Sequence, residues 1–183
     1  MGTGIIICGL NGAGKSTLGK ALAEKLNFYF IDNETLYFPA ADSPYVYACA
    51  RTREEAEKLL LEEIALHENF VFASVKGDYG EFICSFFQYA VLIDVPKNIR
   101  LERVKNRSYQ KFGNRMLPGG DLYEQEENFF HLVRFRTENF VENWLQSLTC
   151  PIIRVDGTKS IEENTKFIME QLYTDNHNLK VKR

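Results

Sequence analysis

A short β-branched run, Ile5-Ile6-Ile7-Cys8, leads directly into the string Gly9-Leu10-Asn11-Gly12-Ala13-Gly14-Lys15-Ser16-Thr17. This spacing, G-x-x-x-x-G-K-[ST], constrains the fold more than any other feature of the chain. The apolar run is continuous, as a strand buried on both faces requires. Leu18, Leu22 and Leu26 then recur at four-residue spacing, which predicts a helix over residues 14–26. A glycine-rich turn between such a strand and such a helix aims backbone N–H groups at one point, where an anion is favoured. A tight turn would explain the glycines but not Lys15-Ser16-Thr17. An ammonium beside that turn neutralises β/γ-phosphate oxygens, and a hydroxyl there ligates the accompanying Mg²⁺. Gly9, Asn11, Gly12, Ala13, Gly14, Lys15, Ser16 and Thr17 are therefore candidate nucleotide-binding residues. Lys15 is also a candidate catalytic group and Ser16 a candidate magnesium ligand.

Beyond this loop, strand and helix signals alternate. Residues 28–32, 70–75, 89–95 and 151–155 read as further strands. Helices are expected over 53–67, over 97–107 behind Pro96, and over 160–173. Residues 108–120 form a loop with three glycines and a proline. The acidic start at Asp121 then predicts one long helix reaching Leu148, capped by Asp121 with Glu124 completing a capping box. Five short apolar strands separated by helices imply an α/β fold, a three-layer sandwich around a parallel sheet with right-handed crossovers. Ligands of such sheets collect at the carboxyl ends of the strands. At 183 residues the chain is expected to form a single domain, since that length can bury about 70% of the unfolded surface.

The net charge is −3, from 22 basic and 25 acidic residues, so neither nucleic acid nor an anionic membrane surface is expected as a partner. No stretch of about 18 apolar residues could span a bilayer, and the N-terminus has no basic leader region, so a soluble cytoplasmic protein is expected. Cys8, Cys49, Cys84 and Cys150 stand too far apart for a zinc motif and read as reduced thiols. The three histidines show no ligand or nucleophile spacing. Val133, Phe140, Val141, Trp144, Leu145 and Leu148 trace a helical stripe and are assigned to the core. One region departs from the acidic balance: between Arg100 and Arg115 six basic residues face one acidic residue, Glu102. Arg100, Arg103 and Arg107 share a helical face there, and such a local excess calls for an anionic partner.

No NKxD element for guanine and no LSGGQ-type signature occurs, and the length leaves no room for a helical ATPase domain. The strand ending in Asp94, followed by VPKNIRLERVKNR, resembles the P-loop kinases of the adenylate kinase and shikimate kinase superfamily. That resemblance implies a sheet of order 2-3-1-4-5. It also implies ATP-phosphate contacts from Arg103 and Arg107, Arg115 as a further lid candidate, and a small lid over residues 108–122. Asp94 is taken as structural. Closure of such a lid would exclude water, which competes as phosphoryl acceptor.

The segment FIDNETLYFP resembles the DGDxLHP-like stretch of gluconate kinases and the acidic pair of shikimate kinases. Asp32 and Glu34 match the carboxylates, while Tyr37 and Phe38 stand where the gluconate enzymes have Leu-His. The resemblance makes Asp32 the candidate base and a magnesium-shell ligand, with Glu34 beside it at the acceptor. ASVKGDYGE resembles the S-A-L-K-x-x-Y-R stretch of gluconate kinases through Ser74, Lys76 and Tyr79, with Gly80 in place of arginine. Lys76 and Asp78 either touch substrate or the magnesium shell or form a satisfied surface turn. Arg51 and Arg53 open the helix that in nucleoside monophosphate kinases carries an acceptor-phosphate arginine. Gly157 and Thr158, just past the fifth strand, match the turn beside the adenine ring, although Thr158 could equally begin the last helix. The implied activity is transfer of the γ-phosphoryl of Mg-ATP to a hydroxyl or phosphate of a small metabolite. The alternative is a nucleotide-binding regulatory ATPase module with no acceptor pocket, which would not need Asp32 and Glu34 to face the arginines.

Overall fold

Every residue of the first strand, β1 (Gly4–Cys8), is buried, because it takes the central place in the sheet. The computed structural model describes residues 2–39, 45 and 47–181, with side chains through residue 174. On one side of β1 lie β3 (Phe70–Ala73) and then β2 (Tyr29–Asp32); on the other lie β4 (Phe87–Asp94) and then β5 (Ile152–Asp156). All pairings are parallel, so the order is 2-3-1-4-5, as expected. Helices α1 (Lys15–Leu26), α2 (Asn33–Tyr37), α3 (Arg53–Leu66), α4 (Glu81–Cys84), α5 (Lys97–Phe112), α6 (Tyr123–Phe135), α7 (Phe140–Leu145) and α8 (Ile161–Val181) surround it.

The two faces of the sheet are sorted by the period-two alternation of the strands. Ile6, Cys8, Phe70 and Phe72 pack with Leu60 and Ile64 of α3 and with Trp144 and Leu145 of α7. Ile5, Ile7, Val71 and Val91 pack with Leu18 and Leu22 of α1 and Ile168 and Leu172 of α8. Cys8 belongs to the first of these clusters, and burial pushes its thiol up to about 12. All four cysteines are unpaired. No described helix is long and apolar enough to cross a membrane.

Three local expectations are corrected. The helix behind Pro96 continues through Phe112 and is followed by a 3-10 turn, Gly113–Met116, so the segment read as an open loop is largely helical. The reason is a third apolar cluster, in which Phe112 and Met116 pack with Val104, Leu122, Phe130 and Val133. Asp121 does not cap α6; its carboxylate takes both Nε and Nη2 of Arg115 at 3.0 and 2.6 Å. The long helix expected to reach Leu148 is two helices, because Arg136 leaves α6 in extended conformation, with φ −62° and ψ 130°. Glu138 in the break receives the Nη2 of the buried Arg100 at 2.6 Å, which makes Arg100, the third arginine of that helical face, a structural residue. Short α2 and α4 were not expected at all; α2 follows from Asp32, whose Oδ1 accepts the Glu34 N–H at 3.0 Å as an N-cap.

Phe72, fully buried, stacks on Phe87 with ring centroids 6.1 Å apart. Phe72→Ala is expected to cost about 3–5 kcal/mol, read as a lowered urea midpoint with an unchanged slope.

Candidate active site

The carboxyl ends of β1 and β3 carry the loop that begins the site. Gly9 N–H donates to the Val75 carbonyl at 3.2 Å and Ser74 N–H to the Ile7 carbonyl at 3.1 Å, so loop and β3 are tied at their tips. The loop then turns through glycines. Gly12 sits at φ +83°, and a Cβ there would lie 2.3 Å from the Arg100 carbonyl oxygen, so only glycine fits both the turn and the close approach to α5. Gly14, at φ +97°, opens α1 with no side-chain cap, and the space above it is clear.

A cavity of about 550 Å³ lies over this loop. Of the residues expected to bind nucleotide, Asn11, Gly12, Gly14, Lys15, Ser16, Thr17, Arg103 and Arg107 line it, and Asp32 and Glu34 line it from β2 and α2. Gly9 and Ala13 are buried behind the loop and do not line it. Gly157 and Thr158 lie outside it as well. The Gly157 carbonyl accepts from Arg103 Nη2 at 3.1 Å, and the Thr158 hydroxyl is turned to Asp156 at 2.6 Å.

Lys15 Nζ donates to the Leu10 carbonyl at 3.1 Å. Its withdrawal from solvent lowers its pKa to about 8; Arg107 pushes the same way, while Cys8 and Asp32 oppose it. Glu34 faces the α5 cations across the cavity: Arg107 Nη1 lies 3.6 Å from its Oε2 and Lys111 Nζ 3.9 Å from its Oε1. The Tyr47 hydroxyl donates to Glu34 Oε1 at 2.8 Å. Burial first, then the Glu34 carboxylate, raises the Tyr47 phenol above its ordinary range.

A smaller cavity of about 210 Å³ adjoins the first through Asn33, Tyr37, Ser74, Val75 and Arg136. Arg53, Lys76 and Asp78 line it, as a sequence-expected group. Lys76 Nζ pairs with Asp78 Oδ2 at 2.7 Å, and Arg53 donates to the Asp78 carbonyl. Arg51 reaches neither cavity; its Nη1 holds the Thr35 and Leu36 carbonyls of α2 at 3.2 and 2.8 Å. Arg115 is engaged with Asp121.

Sequence reasoning missed Arg136. From the α6–α7 break it reaches back 125 residues, and its Nη1 donates to Asn11 Oδ1 at 2.7 Å while its guanidinium lies 5.0 Å over the Phe140 ring. Burial lowers its pKa. The polar triplet Thr137-Glu138-Asn139, interrupting an apolar stripe with two cap-prone residues, was the available signal. Also missed were Tyr45, Tyr47 and Phe129, which line the main cavity. The signal for the two tyrosines was a cluster of four rings, Tyr37, Phe38, Tyr45 and Tyr47, in a stretch with no strand pattern. The main cavity is thus lined by the cations Lys15, Arg103, Arg107 and Arg136 against the anions Asp32 and Glu34. That excess, in a chain of net charge −3, suits a polyanion over the glycine loop.

Residues 5–129 match the family model described as AAA domain. The chain is 29% identical over 176 residues to an uncharacterised protein, YqaC, of Bacillus subtilis strain 168, covering 92% of this chain and 96% of that one. It is 29% identical over 142 residues to a shikimate kinase of Sulfurihydrogenibium sp., covering 72% of this chain and 85% of that one. Among solved structures, the deoxyadenosine kinase of M. mycoides with bound dATP superposes with a TM-score of 0.57 at 18% identity, over 92% of this chain and 98% of the other. That likeness is one of fold.

In the ligand-free protein Lys15 is expected to titrate with a midpoint near 8. Because this lies below its unfolded value of 10.5, the unfolded state binds more protons between the two, and the Lys15 penalty on folding is relieved as pH rises through that window. Side-chain NMR of labelled lysine checks the midpoint, and Arg107→Met should move it upward.

Proposed function

The chain belongs to the AAA domain family, and on that premise we propose that it is an ATP-dependent phosphotransferase that moves the γ-phosphoryl of Mg-ATP to a hydroxyl or phosphate of a small molecule. The observation that carries this reading is the meeting, across one cavity, of Asp32 and Glu34 with Lys15 and Arg107. A module that only bound nucleotide would need the loop and its lysine, but not a carboxylate wall facing the cations. The shikimate kinase of Sulfurihydrogenibium and the deoxyadenosine kinase of M. mycoides support a small-molecule acceptor in general. We place the protein in the cytoplasm, a setting that its four unpaired cysteines suit.

In this reading the triphosphate lies on the amides of the glycine loop and the start of α1, the positive end of the helix. Lys15 exchanges the Leu10 carbonyl for β/γ oxygens. An acceptor oxygen bonds to the γ phosphorus in line as the bond to the β–γ bridging oxygen breaks, ADP leaves, and any acceptor proton passes to Asp32. One oxygen of Asp32 already receives the Glu34 N–H, which orients the carboxylate and leaves Oδ2 for that proton. Arg107 and Arg136 line the same cavity as Lys15 and supply charge to the transferred group. Segment 108–122, packed on α5 and α6 through Met116 and Leu122, is the lid that follows their movement.

A magnesium ion held beside Ser16 would supply positive charge to the phosphate oxygens. Among the described residues no three His, Cys, Asp or Glu side chains converge as an all-protein metal cage requires. The protein's own contribution would then be the Ser16 hydroxyl directly and Asp32 through a water, with phosphate and water oxygens completing the shell, the usual manner for this ion.

Asp32→Asn is expected to lower kcat by about 10²- to 10⁴-fold with ATP affinity retained, in acceptor-dependent ADP release with pure protein. Lys15→Ala should abolish transfer and weaken nucleotide binding together. ADP release indifferent to every acceptor and to Asp32→Asn would overturn the reading. Separately, Arg136→Met should lower kcat by about 10²-fold or more, the scale of a lost charge-stabilising donor, with the thermal midpoint changed by no more than a few degrees. Equal kcat in that variant would remove Arg136 from the transferring site.

A further inference from the structure

Resting on the phosphotransfer reading, we propose that the acceptor is a nucleoside or nucleoside monophosphate, recognised through its flat heteroaromatic ring by the aromatic wall of the main cavity. Tyr37, Phe38, Tyr45, Tyr47 and Phe129 all line that cavity. Three of them form a continuous array, with Phe38 edge-on to Tyr47 at 4.9 Å and Tyr45 edge-on to Tyr47 at 5.5 Å. The array is backed by Phe112 of α5, 5.4 Å from Tyr45 and 6.3 Å from Tyr47, and by Lys111, whose ammonium lies 4.4 Å from the Tyr47 ring centre. The wall is therefore held in place from behind by the third apolar cluster, to which Tyr45, Tyr47 and Phe129 are attached.

The polar handles of this wall are already engaged within the protein. The Tyr47 hydroxyl donates to Glu34, and the Tyr45 hydroxyl donates at 3.0 Å to Glu126, a glutamate with no exposed surface. What remains toward the cavity is ring surface. A polyol or sugar acid pressed against it would lose water from its hydroxyls without gaining partners, which costs about 1–3 kcal/mol for each group left unpaired. A heterocycle loses little on the same surface and gains a stack or an edge contact.

The arrangement also orients the acceptor. Asp32 caps the start of α2 and Phe38 its end, with Glu34 and Tyr37 between them, so the carboxylates and part of the apolar wall belong to one short segment at the tip of β2. Asp32 lines the cavity together with Gly12, Gly14, Lys15 and Ser16, so the carboxylate end of that segment faces the same space as the phosphate loop. A nucleoside with its ring on the aromatic wall therefore directs its sugar toward Asp32. Its hydroxyl oxygen bonds to the γ phosphorus, the bridging bond breaks to release ADP, and the hydroxyl proton goes to Asp32. With a monophosphate acceptor, a phosphate oxygen takes the same place and no base is needed.

The test pairs two measurements on the full chain. ADP release from Mg-ATP is followed with nucleosides, with nucleoside monophosphates, and with shikimate, gluconate and simple sugars. Saturation-transfer NMR follows binding of the same compounds to protein holding ADP. Expected is stimulation and ring saturation by nucleosides or their monophosphates, the two sets separating hydroxyl from phosphate acceptors, and none by the aliphatic set. Phe38→Ala and Tyr47→Ala should raise the acceptor KM about tenfold or more, well beyond any change in the ATP KM, while Phe38→Leu and Tyr47→Phe report on variants that preserve packing. Stimulation by an aliphatic acid alone, or ring deletions that leave the acceptor KM unmoved, overturns the proposal and leaves phosphotransfer standing. If nothing stimulates ADP release, ring saturation that disappears in Phe38→Ala upholds the ring site while the phosphotransfer reading falls, and absence of ring saturation by any nucleoside overturns the ring site.

Discussion

Helix α1 opens at Gly14 with no side chain bonded to its first N–H groups and no acidic residue in its first turn. By contrast, α2 and α3 begin at Asp32 and Thr52, whose side chains accept from N-terminal N–H groups, Thr52 within a full capping box. An uncapped helix start with its dipole unopposed is a liability unless an anion completes it. Here the rest of the fold holds that start still. Gly9 is tied to Val75, Gly12 rests against Arg100, and a Cβ on Gly157 would meet the Ala13 carbonyl at 3.1 Å and the Ile93 and Val95 side chains closer still. The tips of β3 and β4, the start of α5 and the turn after β5 thus all brace one loop. The central position of β1 follows from the same need, since only a strand with neighbours on both sides can offer so many supports.

This explains which parts of the molecule could be read without coordinates. The loop, its helix and the strands were legible because each is encoded locally, in glycine spacing, in β-branched runs and in leucines four apart, whereas the sheet order came from the resemblance. The gathering of Asp32, Glu34 and Arg107 at one cavity was legible through a resemblance to known kinases. The α6–α7 break was marked only weakly, since residues 136–139 contain neither glycine nor proline and offer just the cap-prone Thr137 and Asn139 as a signal. What ends the helix there is tertiary: Arg136 is drawn to Asn11 and Phe140, and Glu138 to the buried Arg100. Likewise Asp121 looked like a cap by position, but a bidentate arginine six residues away offered two charge-assisted bonds instead of one neutral one. Basic residues near Arg100 could be counted in sequence, but only burial separates Arg100, a brace, from Arg103 and Arg107, which face the cavity.

The same distinction organises the charges around the cavity. Arg100, Arg115 and Arg154 each have a carboxylate within 2.6 Å, and none of these pairs lines the main cavity. The cations that do line it are held more loosely or by neutral groups. Arg107 stands 3.6 Å from Glu34, Lys15 is bonded to a carbonyl, Arg103 to another, and Arg136 to an amide. Strong pairs are therefore spent on architecture, and cations with weak or neutral partners are gathered where a ligand can outbid those partners. Half-burial makes this costly for Arg136 and Lys15, whose pKa values both fall. The cost is recovered when a phosphate supplies the counter-charge, so the free protein holds part of its binding energy as unrelieved desolvation.

Glu34 links the two ends of the cavity within this scheme. Its carboxylate meets Arg107 and Lys111 on the phosphate side and the Tyr47 hydroxyl on the aromatic side, so it fixes the ring wall relative to the arginine helix. Removal of Arg107 to a phosphate leaves Glu34 with Lys111 and Tyr47, and these two already contact each other, Lys111 Nζ donating to the Tyr47 hydroxyl at 3.1 Å. The wall thus keeps a cation and a hydrogen bond when the arginine departs, because α5 carries both Arg107 and Lys111 one turn apart. A helix built this way can surrender one charge to an anion and still hold the aromatic wall in register with the other.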